Sequence, residues 1–472
     1  MDLRKKNCQY RVLKVVALWL VISSLFCIDA RAQKDSTVPV KDVGDILQKI
    51  FKKKPDTTKV TSKPSFVILP TLSYNPSFGF VIGAKVTGGK QFGSPENTIY
   101  SVFGLEGIYT SKGIISLKAR HNLFTSGNKW NFQGDWQVSK YGVTDYGLGT
   151  GTTSIGNGSF IINEFPVKDE DSAYPVKYKN VRLYERLYRK VGRHVYLGGG
   201  LLIDIFRHIE DIQHINGKVT PHQVYSVRKG FNPEEYSLNG LLVAMQYNTR
   251  EHPIRSYGGI YADVALRYNP EWLGSTKNSV QLQYDYRQYW SLSKRNPEHV
   301  IAFWHWATYT LGGTVPYLAL PSTASDTYNR GGRGYTLGRF KGPSYAYFET
   351  EYRFPITANK LLSGVAFFHL QSASDAINKN IFESWESGVG TGLRILFQKR
   401  SRTTMCIDIA KGGTGHGDYS SASMRHFSIV GKTTIKHSKV KYAKELLASV
   451  YHCGLCFCRL FVIEEARRGV GE

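Results

Sequence analysis

Several segments of this chain alternate between polar and large apolar side chains, and this pattern constrains the fold more than any other feature. In Tyr345–Pro355, Glu349, Glu351 and Arg353 fall on one face and aromatic residues fall on the other. Such alternation predicts β-strands, since successive side chains of a strand point to opposite faces. The same pattern recurs in segments near residues 80, 115, 130 and 280.

Two architectures produce this alternation. A soluble β-sandwich alternates too, but its core face favours Val, Ile and Leu, and its strands average about five or six residues. Here the alternating segments run roughly nine to twelve residues, the length that a tilted membrane-crossing strand needs. Their apolar face is rich in aromatic residues, which make up 13% of the chain and are typical of membrane interfaces. The pattern therefore predicts an all-β fold, a transmembrane antiparallel β-barrel.

The first 32 residues predict export from the cytoplasm. Five basic residues precede the short apolar run Val15–Ile28, and Ala30–Ala32 forms a small-x-small cleavage signal before Gln33. Residues 33–65 are polar and Lys-rich, which predicts a partly disordered periplasmic leader. Within it, Asp42–Phe51 has the pattern of a short amphipathic helix.

Residues 66–425 are assigned to the barrel, and their length fits about 16 strands at roughly ten residues per strand plus loops. Three long polar intervals, 147–177, 207–223 and 312–342, predict extracellular loops or plugs of the lumen. After Tyr419 the alternation stops. Residues 426–472 form a basic, Cys-containing tail, and its composition predicts disorder. We expect the closing strand to be displaced or lost through a reading-frame change, with a genuine extension of the chain as the alternative.

Composition excludes several classes of protein. A hydrophobic content of 42% with a mean hydropathy of −0.29 excludes a bundle of transmembrane helices. The net charge of +24 is compatible with anionic lipid, but no zinc-finger, basic-zipper or RNA-binding pattern indicates nucleic acid. The chain has no Gly-x-Ser-x-Gly or His-Glu-x-x-His motif, so we expect no enzyme, no catalytic residue, no metal and no cofactor.

The segment Tyr328–Gly342 contains five Gly and three Arg, and predicts a loop with a tight backbone path. Within it, Arg333-Gly334-Tyr335 resembles the Arg-Gly-Phe/Tyr motif of the bacterial surface antigen family. These are the barrels of the outer-membrane assembly factors (BamA, TamA and their relatives). Tyr247, Asn248 and Arg250 resemble the family's mid-barrel motif. Further similar segments follow in the family's order: Tyr74–Gly79, Glu351–Pro355, Gly388–Arg394 and Met405–Ala410.

The resemblance implies a glycine-rich loop folded back into the lumen, with Arg333 paired to Glu351. Glu349 and His369, which alternation places on the same inner wall, are the other expected partners. The sequence departs from the family pattern at Gly332, where an aliphatic residue is usual, and at Asn248, where Asp is usual. His369 stands where many relatives carry a second Asp, so we expect the acidic partner that this strand supplies in relatives to be missing.

The resemblance also implies an outer-membrane location in a Gram-negative bacterium, with membrane lipid around the barrel. The family's periplasmic POTRA domains each need about 75 residues, more than the leader offers. An accessory role in outer-membrane protein assembly or export is therefore one hypothesis, with unfolded barrel clients or a partner that supplies periplasmic domains. The alternative is a passive pore or surface protein that kept the fold without assembly activity.

Overall fold

The computed structural model describes residues 38–50, 65–75, 79–94, 96–150, 174–217, 219–375, 380–399 and 402–412. The chain divides into two compact units, Met1–Ser428 and Ile429–Glu472, and all described residues belong to the first. The predicted signal peptide, the segment after Tyr419 and the basic tail lie outside the described residues.

The described residues form one antiparallel sheet of 15 strands, each paired with the strands before and after it in the chain. This simple meander is the topology predicted for a barrel of hairpins, and the described residues contain 15 strands where about 16 were predicted for the whole chain. The strands are β1 (Ser65–Asn75), β2 (Gly79–Lys90), β3 (Ser101–Thr110), β4 (Ile115–Phe124), β5 (Trp130–Asp145), β6 (Tyr174–Lys190), β7 (Val195–Asp211), β8 (Tyr236–Asn248), β9 (Gly259–Asn269), β10 (Ser279–Ser291), β11 (Val300–Gly313), β12 (Ser344–Pro355), β13 (Leu362–Ala373), β14 (Glu386–Gln398) and β15 (Thr403–Gly412).

The sheet exposes its apolar face and buries its polar one. In β8 the exposed residues are Leu241, Val243, Met245 and Tyr247, while the alternate positions, including Gln246, are buried. This inverts the arrangement of a soluble sandwich and is the pattern of a strand between lipid and a polar interior. No helix among the described residues is long and apolar enough to cross a membrane.

The connections differ between the two ends of the sheet. Three long ones, residues 146–173, 212–235 and 314–343, follow odd-numbered strands and therefore lie at the same end, the long-loop end. The turns after even-numbered strands are shorter and define the short-turn end. In outer-membrane barrels the short turns face the periplasm. The predicted polar interval 312–342 matches the third connection closely, and 147–177 runs four residues into β6. The interval 207–223 includes the end of β7 and covers only the first half of the second connection.

Strands β5, β6 and β7 contain 16, 17 and 17 residues, more than the nine to twelve predicted. Their extra length carries an apolar cluster at the long-loop end. The cluster also includes residues of the 212–235 and 314–343 connections. Its buried members are Leu148, Val176, Phe206, Ile209, Tyr225, Phe231, Tyr236, Leu238, Val315, Tyr317 and Leu320. The strands continue because their ends have a core of their own to pack into.

In the described part of the chain, three short α-helices accompany the sheet: α1 (Val43–Ile50), α2 (Ile212–Ile215) and α3 (Pro221–Arg228). The helix expected within the leader is thus present as α1. Its first turn is capped because the Asp42 and Asp45 carboxylates each accept the other's backbone N–H. Lys399, in the β14–β15 turn, donates its backbone N–H to Asp42 and its Nζ to Asp45 at 2.8 Å. Residues 42–50 are therefore anchored at the short-turn end.

Candidate functional site: a buried arginine on the polar face

The connection 314–343 folds back onto the polar face of the sheet. Its backbone closes on itself, with Thr323 N–H donating to Phe340 O at 2.8 Å. Gly334 has a φ of 94°, a region that glycine adopts without strain. A Cβ on Gly334 would lie 3.0 Å from the backbone of Lys411 and Gly412. Glycine is needed here because the loop lies directly against β15.

Arg333 is the centre of this contact, with only 5% of its surface exposed. Its Nη2 lies 2.7 Å from Glu349 and 2.8 Å from Glu351, both on β12. Its Nη1 lies 3.3 Å from Asp408 on β15. The guanidinium also stacks on the ring of Phe367 in β13, 3.3 Å from its centroid. The planar fork of arginine suits such a site, since it can satisfy several carboxylates at once.

The charges around Arg333 balance. Arg353 donates to Glu351 at 2.6 Å, and Arg394 pairs with Asp408. Three guanidinium groups therefore meet three carboxylates in one buried cluster, Arg333, Arg353 and Arg394 with Glu349, Glu351 and Asp408. Mutual compensation matters because a buried charge without its partner is strongly destabilising.

The strand of His369 supplies no acid, but the expectation that Arg333 therefore lacks a second acidic partner is wrong. Glu349 and Asp408 both reach Arg333 in addition to Glu351. Sequence reasoning did not single out Asp408, because it looked for the acid on the strand that holds His369. The signal was present in Met405–Ala410, where alternation places Asp408 on the polar face.

The other predicted loop residues lie around the same point. His369 Nε2 is 2.7 Å from the carbonyl oxygen of Arg333, so this histidine holds the loop backbone rather than the guanidinium. Tyr335 donates its hydroxyl to the carbonyl of Ser387 on β14 at 2.6 Å. The structure therefore brings together the predicted motif Arg333–Tyr335 and its predicted wall residues.

The tip of the loop reaches a distant strand. Arg120 on β4 donates to the Asn329 side chain at 3.3 Å and stacks on Tyr328, 5.3 Å from the ring centroid. Arg120 is also paired with Asp135 of β5 at 3.1 Å. A single loop thus contacts polar side chains from both halves of the sheet.

The mid-barrel motif lies elsewhere, at the short-turn end of β8. Tyr247 is exposed on the apolar face. Asn248 Oδ1 accepts from Arg250 Nε at 3.3 Å, and the Arg250 guanidinium stacks on Tyr261, 4.1 Å from its centroid. These residues shape the 249–258 turn.

That turn is tied to two neighbouring turns and to the start of β13. Arg255 donates to Glu298 at 2.7 Å and to the hydroxyl of Ser363 at 3.0 Å. Arg402 donates to Glu251 at 3.0 Å. Sequence reasoning missed this network because charged residues in turns are usually solvated, and nothing in their spacing showed which turns meet.

An antiparallel sheet with an apolar exposed face and a polar buried face is the pattern of outer-membrane β-barrel proteins. Residues 91–398 match the model of the Omp85 superfamily domain. The chain therefore belongs to the Omp85 superfamily, and this family places it in the bacterial outer membrane.

Solved structures with a similar fold include BamA from Haemophilus ducreyi lacking POTRA domains 1–3, at 15% identity and a TM-score of 0.46, covering 78% of this chain and 69% of that one. CdiB from Escherichia coli matches at 10% identity and a TM-score of 0.46, covering 75% and 59%. CdiB from Acinetobacter baumannii matches at 11% identity and 0.43, covering 78% and 58%. Comparison with curated protein sequences gives no match.

Proposed function

We propose that this Omp85 barrel assists the assembly or export of other outer-membrane proteins, with the 314–343 loop as a plug over its polar interior. The observation that carries the proposal is the triple pairing of Arg333 with Glu349, Glu351 and Asp408. A loop held by a buried ion cluster blocks free passage, which suits a barrel that handles proteins better than one that conducts solutes.

The position of Asp408 supports this reading. It lies on β15, which ends the sheet in the described part of the chain. An end strand presents backbone groups that an incoming strand can pair with. Asp408 fastens the 314–343 loop to β15. Displacement of β15 would therefore break a contact of the loop, and displacement of the loop would leave Asp408 without Arg333. We further propose a partner that supplies periplasmic client-binding domains.

Depletion of the protein followed by quantitative proteomics of the outer membrane tests the proposal. We expect a defined subset of barrel proteins to fall, and wild-type protein supplied from a plasmid to restore them. An Arg333→Ala copy should restore them less well. Unchanged levels of every outer-membrane barrel after depletion would contradict an assembly role.

A passive pore is the second candidate, favoured by the basic side chains on the polar face. These are Lys118, Arg120, Arg287 and Arg353. A pore lined by them would prefer anionic solutes. Planar-bilayer recording separates the two candidates. The assembly proposal predicts low conductance that rises in Arg333→Ala, whereas a pore predicts large, anion-selective conductance in the wild-type protein.

A further inference from the structure

A polar cluster lies on the apolar face of the sheet, where lipid would be expected. His121 of β4 has its Nε2 3.2 Å from Glu185 Oε1 of β6. Trp136 of β5 donates its indole N–H to the other oxygen of Glu185 at 3.1 Å. Among the described strands, Glu185 is the only carboxylate within the apolar band. Ionisable side chains at such positions are costly and usually functional.

The register of the strands sets the depth of this cluster. On this face, Trp130 pairs with Arg189 at one edge of the band, and Lys140 pairs with Lys179 at the other. Glu185 lies four residues from Arg189 and six from Lys179. With about 3.3 Å per residue and a tilt of about 40°, those separations are about 10 Å and 15 Å, which add up to the usual apolar band of about 25 Å. Glu185 is therefore near the middle of the membrane.

Gly134 makes the cluster possible. Gly134 on β5 pairs with His121 on β4 and with Glu185 on β6, so it lies between them. A Cβ on Gly134 would lie 2.4 Å from the His121 ring. The imidazole thus lies flat across the bare backbone and reaches the carboxylate. The ring also meets Trp136 edge to face at a centroid distance of 5.5 Å.

The cluster is only partly covered by its own members. The side chains of His121 and Glu185 remain 19% and 32% exposed toward the apolar surroundings. Glu185 Oε2 accepts the Trp136 N–H, and Oε1 has His121 Nε2 at 3.2 Å, whereas each carboxylate oxygen can accept two hydrogen bonds. In hydrocarbon, a carboxylate oxygen with spare acceptor capacity favours binding of a neighbouring group that supplies a hydrogen-bond donor.

We propose that His121, Trp136 and Glu185 form an intramembrane docking site for a membrane-spanning segment of a partner protein that presents a hydrogen-bond donor. Lipid headgroups, and any hydroxyl near the carbonyl end of an acyl chain, lie toward the edges of the band, near Arg189 and Lys179, and the hydrocarbon at the middle of the band carries no donor. At the depth of Glu185 only a protein segment can supply one. An acidic site matches a basic, hydroxyl or amide side chain on that segment.

In-membrane photocrosslinking tests the proposal in the native outer membrane. A benzoylphenylalanine placed at Leu183 or Leu187, which flank Glu185 on the same face, should give one discrete protein adduct. The yield should fall about tenfold in Glu185→Leu and persist in Glu185→Gln, which keeps hydrogen bonding. The same probe at Val264, on the apolar face of β9, is the control. Adducts with lipid only, with a second copy of this chain, or equal in Glu185→Leu would overturn the proposal.

The stability of the purified protein in lipid vesicles separates docking from a merely structural role. If the cluster serves a partner, Glu185→Leu should unfold at the same or a higher urea concentration than wild type, because it removes a carboxylate from hydrocarbon. If the cluster mainly fastens β4 to β6, the same variant should unfold at a lower concentration, which would contradict the proposal. Heat-modifiable migration on gels confirms that each variant is folded.

Discussion

At the residue scale, Arg333 is the centre of the ion cluster on the polar face. It is nearly fully buried, three carboxylates surround it, and Phe367 covers one side of its guanidinium. A buried ion cluster is weak evidence for stability as such, since apolar residues can replace it. Removing only one member of the cluster is strongly destabilising, because the charges that remain buried then lack a partner.

Arg333→Ala should destabilise the folded protein by about 3–5 kcal/mol, since three carboxylates are left with two guanidinium groups. Urea unfolding in lipid vesicles, followed by tryptophan fluorescence, measures the change. Arg330→Ala is the matched control: it lies three residues earlier in the same loop and is exposed. Its effect should stay within about 0.5 kcal/mol. Equal losses in both variants would contradict a special role for Arg333.

Gly334→Ala should also weaken the loop, by about 1–3 kcal/mol, because its φ of 94° strains any other residue and its new Cβ would press on β15. Gly338→Ala is the comparison, since Gly338 has a φ of 73° but open space at the Cβ position. The larger loss at Gly334 would measure the close approach to β15. A larger loss at Gly338 would show that this approach is absent.

At the element scale, alternation predicted the strands because the two faces of each strand meet different surroundings. It also placed Glu349 and Glu351 on the polar face. It could not show Asp408 beside Arg333, because that contact joins a loop to a strand about 75 residues away, and no local pattern records such a distance. The network of Arg255 and Arg402 at the short-turn end was hidden for the same reason.

The 249–258 turn should make stability depend on pH. His252 is buried, with 6% exposed, and its Nδ1 accepts from the backbone N–H of Ile254 at 3.2 Å. Burial, with help from the nearby Arg402, lowers the pKa of His252 from 6.5 to about 4. The unfolded chain therefore takes up the proton first, so stability falls as pH drops from about 6.5 to 4.

The slope of that loss is about 1.4 kcal/mol per pH unit for one such histidine. In His252→Gln, which keeps a side-chain acceptor, the slope between pH 6.5 and 4 should decrease by about this amount. Urea unfolding at half-unit pH steps measures it against wild type. An identical pH profile in the two proteins would show that His252 stays protonated or is solvated in the folded state.

At the scale of the whole molecule, the polar and apolar faces exchange the places that they have in a soluble protein. A charged side chain introduced on the exposed apolar face should therefore destabilise the protein where that face contacts lipid. It should have little effect where the exposed surface contacts water. Val243→Arg, on the apolar face of β8 and 72% exposed, should cost about 2–4 kcal/mol in a bilayer. Val227→Arg, also exposed but on helix α3, should have little effect. Equal costs at both sites would contradict the assignment of the face.

The central claim is that Arg333 holds the 314–343 loop to the polar face and, through Asp408, to β15. A double-mutant cycle with Arg333→Ala and Asp408→Ala tests it most directly, with urea unfolding of all four proteins in lipid vesicles. The claim predicts that the two effects are not additive, with a coupling of about 1–3 kcal/mol. Additive effects, with a coupling near zero, would contradict it.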